Sequence, residues 1–324
     1  MTNQELLNRL DAAFKDVTDV SALGESILAA QQFDRFIEAM QHRTNILPDA
    51  RFIPMDAHQT NIDRVGFVGR VLTKGIDKDE EERGTESYKK PDTWTNKLHA
   101  VELRGKVALE DRALRRNIER GNFEDHLVDL FGQAGGRDFE EWALLADTDY
   151  SDSSDILKAG DGWKKLSDNK VYGQNEDFDP EDAEEILAAL LDALPKEYLV
   201  NRGEWRFYVP YEVEDGYRNK LKARGTALGD TAQTTGDRLM YKGIPVYYAP
   251  MLERSKSTGD DGAGRIAMLQ HPDNLAWGVF HEVTIEPYRN AEERRTEFYL
   301  TIECDAHYED EKASAVALLD QQEE

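Results

Sequence analysis

The sequence predicts an α+β fold, and three observations carry that prediction. Near the end of the chain, "NLAWGVFHEVTIEPYRNAEERRTEFYLTIECDAHYEDE" alternates apolar and polar residues on both sides of a short charged turn, the pattern of a long antiparallel hairpin. In the middle, "NFEDHLVDLFGQAGGRDFEEWALLAD" places apolar residues at helical spacing, for a helix of about 36 Å. Between them, residues 179–250 read as helix, strand, helix, loop and strand, a small α/β module.

At 324 residues, 40% hydrophobic and 9% aromatic, the chain can bury one large core or two medium ones. No run approaches the roughly 18 apolar residues of a membrane span, and "MTNQELLNRLDAAF" is not a signal peptide. The single cysteine, Cys304, excludes an internal disulfide and reads as an inert strand residue. Forty basic against sixty-five acidic residues give a net charge of −25, a poor footprint for nucleic-acid binding. Such a surface also repels its own copies at low salt. At about 1 M salt the Debye length shrinks to about 3 Å and that repulsion largely vanishes. The balance fits either work in brine or a merely acidic surface, and solubility and assembly across a salt series separate the two.

Residues 2–14 and 21–41 read as amphipathic helices, followed by extended chain at "NILPDARFIPMDAH". "RVGFVGRVLT" (64–73) and "KLHAVELRGKVAL" (97–109) alternate, with Val65, Phe67 and Val71 on one face and His99, Val101, Leu103, Val107 and Leu109 on another. They form a hairpin around the charged tip "KGIDKDEEERGTESYKKPDTWTN". A short helix over 110–120 precedes the long one, which Asn122 caps and which Phe123, Leu127, Leu130, Phe131, Ala134, Phe139 and Trp142 stripe, weakened at Gly135-Gly136. Residues 147–178 read as loop. Asp179 and Pro180 open the next helix and Pro195 ends it. "EWRFYVP" is a strand, "YEVEDGYRNKLKARG" a helix stopping at Gly225, and "RLMYKGIPVYYAPML" a strand around Gly243 and Pro245. A glycine-rich loop over 259–264, "RIAML", the long hairpin and a short helix over 311–319 complete the chain.

No phosphate loop, nucleophile elbow or zinc-protease motif is present, and the seven histidines show no metal-ligand spacing. No cofactor and no bound metal are expected. The nearest approach to a cation loop is "DTDYSDSSDILK", where Asp147, Asp149, Ser151, Ser153 and Asp155 alternate as calcium ligands do. The loop lacks the glycine of its sharp turn and the closing bidentate glutamate, so it reads as a solvated acidic loop sooner than as a cation site. In the hairpin tip, Lys74, Asp77, Lys78, Glu80, Arg83, Tyr88, Lys89, Lys90 and Trp94 are candidate contact residues. A tip with both charge signs and two aromatics can meet another copy of itself in a rotated position, whereas the plain alternative is solvated loop charge.

The order of these elements resembles the major capsid proteins of tailed double-stranded DNA viruses, the Hong Kong 97 type, over nearly the whole chain. The stretches that carry it are "FEDHLVDLFGQAGGRDFEEWALLADTD" as spine helix, "YKGIPVYYAPML" as the strand leaving the axial domain, and "RIAMLQHPDNLAWGVFHEVTIEPYRNAEERRTEFYLTIECDAHYEDEKASAVAL" as the closing peripheral segment. The resemblance implies an N-terminal arm over 1–60, an extended β-hairpin loop over 61–108, the spine helix and first part of a peripheral domain over 109–180, an axial domain over 181–262 and the second peripheral part over 263–324. Val279, Val283, Ile285, Phe298, Leu300, Ile302 and Cys304 would then pack on the spine helix.

It also implies a non-enzymatic subunit forming the hexamers and pentamers of an icosahedral shell, assembled in a host cytoplasm and enclosing DNA without sequence-specific binding. Scaffold, portal and decoration proteins are the further partners. Some members of the family carry an N-terminal scaffolding segment that is cut off; here the arm begins almost at once, which leaves room for a separate scaffold protein. Lys74, Lys78, Lys89, Lys90 and Lys97 stand on the loop without an identifiable asparagine partner, so no isopeptide cross-link is expected. The rival readings are an encapsulin nanocompartment of the same fold, a metal-dependent hydrolase using the Asp147–Asp155 cluster, and a monomeric adaptor.

Overall fold

The 14-residue strand β12 (Arg295–Tyr308) is the axis of a five-stranded sheet. The computed structural model describes residues 44–66, 92–110, 123–150, 156–173, 178, 182–223, 239–253, 265–280 and 284–319. Strand β11 (Thr284–Asn290) and β10 (Leu275–Phe280) pair antiparallel with successive halves of β12, and β1 (Arg51–Met55) adds to β10 in parallel. Along the opposite edge, β4 (Val101–Glu110) runs antiparallel from Val101 opposite Cys304 to Glu110 opposite Arg295.

One face of this sheet carries α1 (Phe123–Leu145). Phe298, Leu300, Ile302, Cys304 and Ala306 alternate along β12 and share one core with Phe131, Phe139 and Trp142 of the helix. The Phe131 and Phe298 rings lie 6.1 Å apart and Phe139 and Trp277 lie 5.5 Å apart, both tilted as aromatic pairs prefer. Each such side chain contributes roughly 1.5–3 kcal/mol by leaving water. Val279 and Ile285 join this core as expected; Val283 lies outside the described residues.

A six-stranded mixed sheet stands beside it, in the order β5 (Lys170–Tyr172), β13 (Ser314–Leu318), β9 (Ile266–Gln270), β6 (Arg206–Val209), β8 (Ile244–Tyr248) and β7 (Leu239–Tyr241). Ala267, Leu269, Ala315 and Ala317 face a second core with α3 (Ala183–Ala193) and α4 (Tyr211–Ala223), whereas Ile266, Met268 and Val316 face the first. Both faces are covered, so these strands read as unbroken apolar runs. A short α2 (Trp163–Leu166) lies between α1 and this sheet in the chain.

Several sequence expectations change. Residues 314–318, expected as helix, are the buried strand β13, because a segment covered on both faces follows packing rather than alanine propensity. Strands β9 and β13 from the closing segment lie in one sheet with β6, so a division at residues 262/263 cuts through that sheet. The single strand expected around Gly243 is a tight hairpin. Tyr241 pairs with Ile244, and Lys242 and Gly243 hold φ of 49° and 88°, the left-handed pair of a two-residue turn. The stretch 147–178 contains the edge strand β5 as well as loop. The third helix starts at Ala183 with Asp182 before it. Glu110, expected to open a helix, ends β4. Asp179 and Pro180 lie outside the described residues, as do the helices expected over 2–14 and 21–41, the rest of that expected over 110–120, the Asn122 cap, Gly225 and the 259–264 loop. The long helix runs through Gly135-Gly136 unbroken, and Leu130 points to solvent.

Candidate assembly surface

A two-stranded ribbon, β2 (Gln59–Gly66) antiparallel with β3 (Asp92–His99), leaves the body with no further strand on either edge among the described residues. Thr60, Ile62 and Arg64 oppose Leu98, Asn96 and Trp94 on its inner face. Asp63 and Val65 oppose Thr95 and Thr93 on the outer face, where Val65 is 65% exposed. The face that Val65 heads is therefore the solvent face at this end of the ribbon. The stretch 97–109 is also two strands: at Ala100 the chain passes from the ribbon into the five-stranded sheet.

At the ribbon's root, Ile62 and Leu98 form a small core with Met55 and Ala276. Ala276 alternates with Leu275 and Trp277 of the main core, so the root covers the sheet face opposite α1. Asp305 accepts the His99 backbone N–H at 2.6 Å and the Ala306 N–H at 2.8 Å. Burial pushes its carboxyl up to about 7 against these two hydrogen bonds.

Next to this apolar root lies a polar junction. The Asp310 Oδ2 atom takes the Arg64 guanidinium and the Tyr198 hydroxyl, the latter at 2.8 Å. Burial alone would raise this carboxyl, but the Arg64 and Tyr198 hydrogen bonds outweigh it and hold it below the usual range. Arg64 also lies 5.0 Å from the centre of the Trp94 ring across the ribbon. Asn274 clasps the same turn: its Oδ1 accepts from Asp310 N at 2.8 Å, and its Nδ2 donates to the Asp310 and Ala313 carbonyls at 3.0 Å. Asn96 donates to the Tyr308 carbonyl at 2.9 Å.

Residues 44–50 form a second root, where the N-terminal segment meets the body. Ile46 and Leu47 are fully buried, and Glu140 of α1 accepts the Asn45 and Ile46 backbone N–H groups at 3.0 and 2.7 Å. Burial raises this carboxyl to about 7 although those N–H groups favour its charged form. Asp49 pairs with Arg206 and accepts the Tyr208 hydroxyl at 3.0 Å, so this root ties α1 to β6.

In the described part of the acidic loop a lysine stands among the carboxylates. The Lys165 ammonium lies 2.7 Å from Asp147, 2.8 Å from Asp149 and 3.0 Å from Asp161, and donates to Thr148 at 2.8 Å. Despite some burial, these carboxylates raise the pKa of Lys165. Asp155 lies outside the described residues. Among the described residues no cluster of acidic, histidine or cysteine side chains is arranged for a metal. On the sheet face opposite α1 one buried acid is likewise neutralised by its neighbours. Glu297 meets Lys106 at 2.7 Å, Tyr299 at 2.8 Å and Arg295 at 2.7 Å, and the Lys106 bond foremost holds its carboxyl down at about 2.

Of the nine candidate contact residues only Trp94 lies among the described residues, 39% exposed at the ribbon root; Lys74, Asp77, Lys78, Glu80, Arg83, Tyr88, Lys89 and Lys90 lie outside them. Sequence reasoning missed Arg64, Asp310, Tyr198, Asn274, Lys165 and Glu140. Only Glu140 left a signal, a lone charge on the helical stripe one turn before Ala143 and Leu144.

No protein-family model matches the chain. It is 26% identical over 320 residues to the putative prophage capsid protein YqbE of Bacillus subtilis (strain 168), covering 97% of this chain and 98% of that protein. Among solved structures it is similar to a chain of the satellite phage P4 procapsid that includes the size determination protein Sid, with a TM-score of 0.60 and 12% identity over 99% of this chain and 98% of that one. It is also similar to a chain of Gordonia phage Cozz, with a TM-score of 0.57 and 12% identity over 86% of each. The fold is that of Hong Kong 97-type phage capsid proteins.

Proposed function

We propose that this chain is the major capsid protein of a tailed virus, assembling into the hexamers and pentamers of an icosahedral shell around double-stranded DNA. The observation that carries this reading is likeness over the full length: a prophage capsid relative and a procapsid chain each match at least 97% of the sequence. The role is structural, and its place is the virion.

The described geometry supports the reading in one further respect. A ribbon of two strands is marginal alone in water, and this one is rooted at a single end with both edges unpaired among the described residues. In the proposed shell it lies on a neighbouring subunit, with its tip residues Lys74 to Trp94 among the contacts. The segments 1–60, 61–108, 109–180, 181–262 and 263–324 serve as arm, extended loop, spine with peripheral part, axial part and closing peripheral part, with β9 and β13 completing the axial sheet. Burial at about 25 cal/mol/Å² is spread over several interfaces, each modest enough for errors to anneal. The net charge of −25 suits a wall that encloses DNA without trapping it. Assembly takes place in the host cytoplasm with scaffold, portal and decoration proteins as partners.

Electron microscopy of the purified chain in low and in molar salt tests the reading. Closed shells or six-fold capsomers are expected, and their onset with rising salt would mark a protein suited to brine. Monodisperse monomers in every buffer, with or without a co-expressed scaffold, would overturn it. Intact monomers on denaturing gels of particles are expected; a covalent ladder would reveal cross-linking.

A further inference from the structure

Asp310 sits where three parts of the molecule meet, and each part reaches it with a different group. Arg64 comes from the ribbon. Tyr198 comes from the helical layer over the six-stranded sheet, where it packs against the second core. Asn274 belongs to the crossing from β9 to β10, and Asp310 itself to the return crossing from β12 to β13.

The apolar root cannot fix the ribbon's lean, because contact among Met55, Ile62, Leu98 and Ala276 is non-directional. Direction must come from hydrogen bonds: Asp305 fixes the His99 N–H and Asn96 the Tyr308 carbonyl, while the Arg64 guanidinium, backed by Trp94, adds a charged bond to a side chain shared with Tyr198. Its acceptor atom is the same Oδ2 that Tyr198 holds. A shift of the helical layer therefore moves the atom on which the ribbon is docked.

We propose that Asp310 is a positioning residue that couples the lean of the β2–β3 ribbon to the placement of the helical layer on the six-stranded sheet. The purpose rests on the shell-subunit reading: each subunit would offer its ribbon to a neighbour at an angle set by its own second domain. The geometry does not depend on that reading.

The test uses the full chain, unassembled at low salt. Spin labels are attached to cysteines introduced at Thr93 on the outer ribbon face and Glu286 on the five-stranded sheet, both exposed, while the native Cys304 is buried. Double electron–electron resonance is expected to give one narrow distance. Arg64→Met is expected to broaden it about twofold, and Arg64→Lys to restore it in part, because the ammonium keeps the charge without the planar guanidinium. Tyr198→Phe leaves the Arg64–Asp310 pair whole yet is expected to shift or broaden the same distance, which a merely local role for Tyr198 would not do. Hydrogen exchange of the Asn61–Val65 amides on the same variants gives a second readout, with faster exchange expected in Arg64→Met. Distances and exchange unchanged in both Arg64→Met and Tyr198→Phe would overturn the proposal. Failure of the shell reading would look different: no closed particles from the wild type, with the distance still narrow and still sensitive to both substitutions.

Discussion

Glu140, buried in α1, accepts the backbone N–H of Ile46 at 2.7 Å, across 94 residues of sequence. The adjacent Asn45 N–H points to the same Oε1 at 3.0 Å, so successive peptide groups cup one carboxylate. Helix α1 thereby holds residues 45 and 46, at the start of the segment that leads into β1. Asp305 holds the ribbon's return through His99 in the same way. Asn45 and Ile46 on one side and His99 on the other are thus each anchored by backbone donors to a buried acid.

That arrangement predicts an unusual pH profile. Burial raises Glu140 and Asp305 to about 7, from 4.5 and 3.8. An acid with a raised folded-state pKa binds its proton more tightly when folded. Its contribution is complete below the ordinary pKa and is lost as pH rises through about 7. Glu297, Asp310 and Asp161 have lowered values, and their contributions are present above the ordinary carboxylate range and lost as pH falls below it. Stability of the unassembled chain should therefore peak near about pH 5 and fall toward pH 8 by up to about 3 kcal/mol for each buried acid. Urea melts across that range check the slope. Glu140→Gln should flatten it, and an unchanged slope would remove Glu140 as its source.

Lys165 predicts a gain of metal binding by loss of an ammonium. With Asp147, Asp149 and Asp161 gathered around it, Lys165→Met should destabilise the chain by about 1–2 kcal/mol through unrelieved repulsion. Millimolar calcium should then raise the melting temperature of the variant and leave the wild type unmoved. Differential scanning calorimetry with and without calcium decides it.

Phe298 and Val107 are cross-strand partners on one sheet face, yet Phe298 is 4% and Val107 40% exposed. Phe298→Ala should cost about 3–5 kcal/mol through the cavity left beside Phe131. Val107→Ala should stay within about 1 kcal/mol. Equal losses in chemical denaturation would mean that α1 covers both positions alike.

How far the fold could be read beforehand follows from what each segment touches. Strand β12 was legible because one face meets a helix with apolar residues while the other carries mostly polar and charged ones, which writes a period of two into the residues. Strand β13 was not, because both of its faces are covered and "SAVAL" then carries no period at all. The break at Ala100 left no mark, since alternation continues across it while the partner strand changes. The charged anchors were illegible for a related reason. Asp310 meets Arg64 across 246 residues and Tyr198 across 112, and spacing along the chain says nothing about such meetings.

Gly278 supplies the last prediction, because it is where the ribbon root presses on the sheet. A Cβ there would lie 2.9 Å from the Ile53 carbonyl oxygen and 2.9 Å from both Cγ and Sδ of Met55. The Met55 side chain could swing away, but the Ile53 carbonyl belongs to β1, whose Ile53 is in register with Gly278 itself. Gly278→Ala must therefore push β1 outward and lift Met55 off Ile62 and Leu98. A loss of about 1–3 kcal/mol is expected, together with faster hydrogen exchange at the root of β2–β3. Adding Met55→Ala should not restore stability, since the backbone contact remains. Full recovery in that double variant would place the whole strain on the methionine and leave β1 free of it.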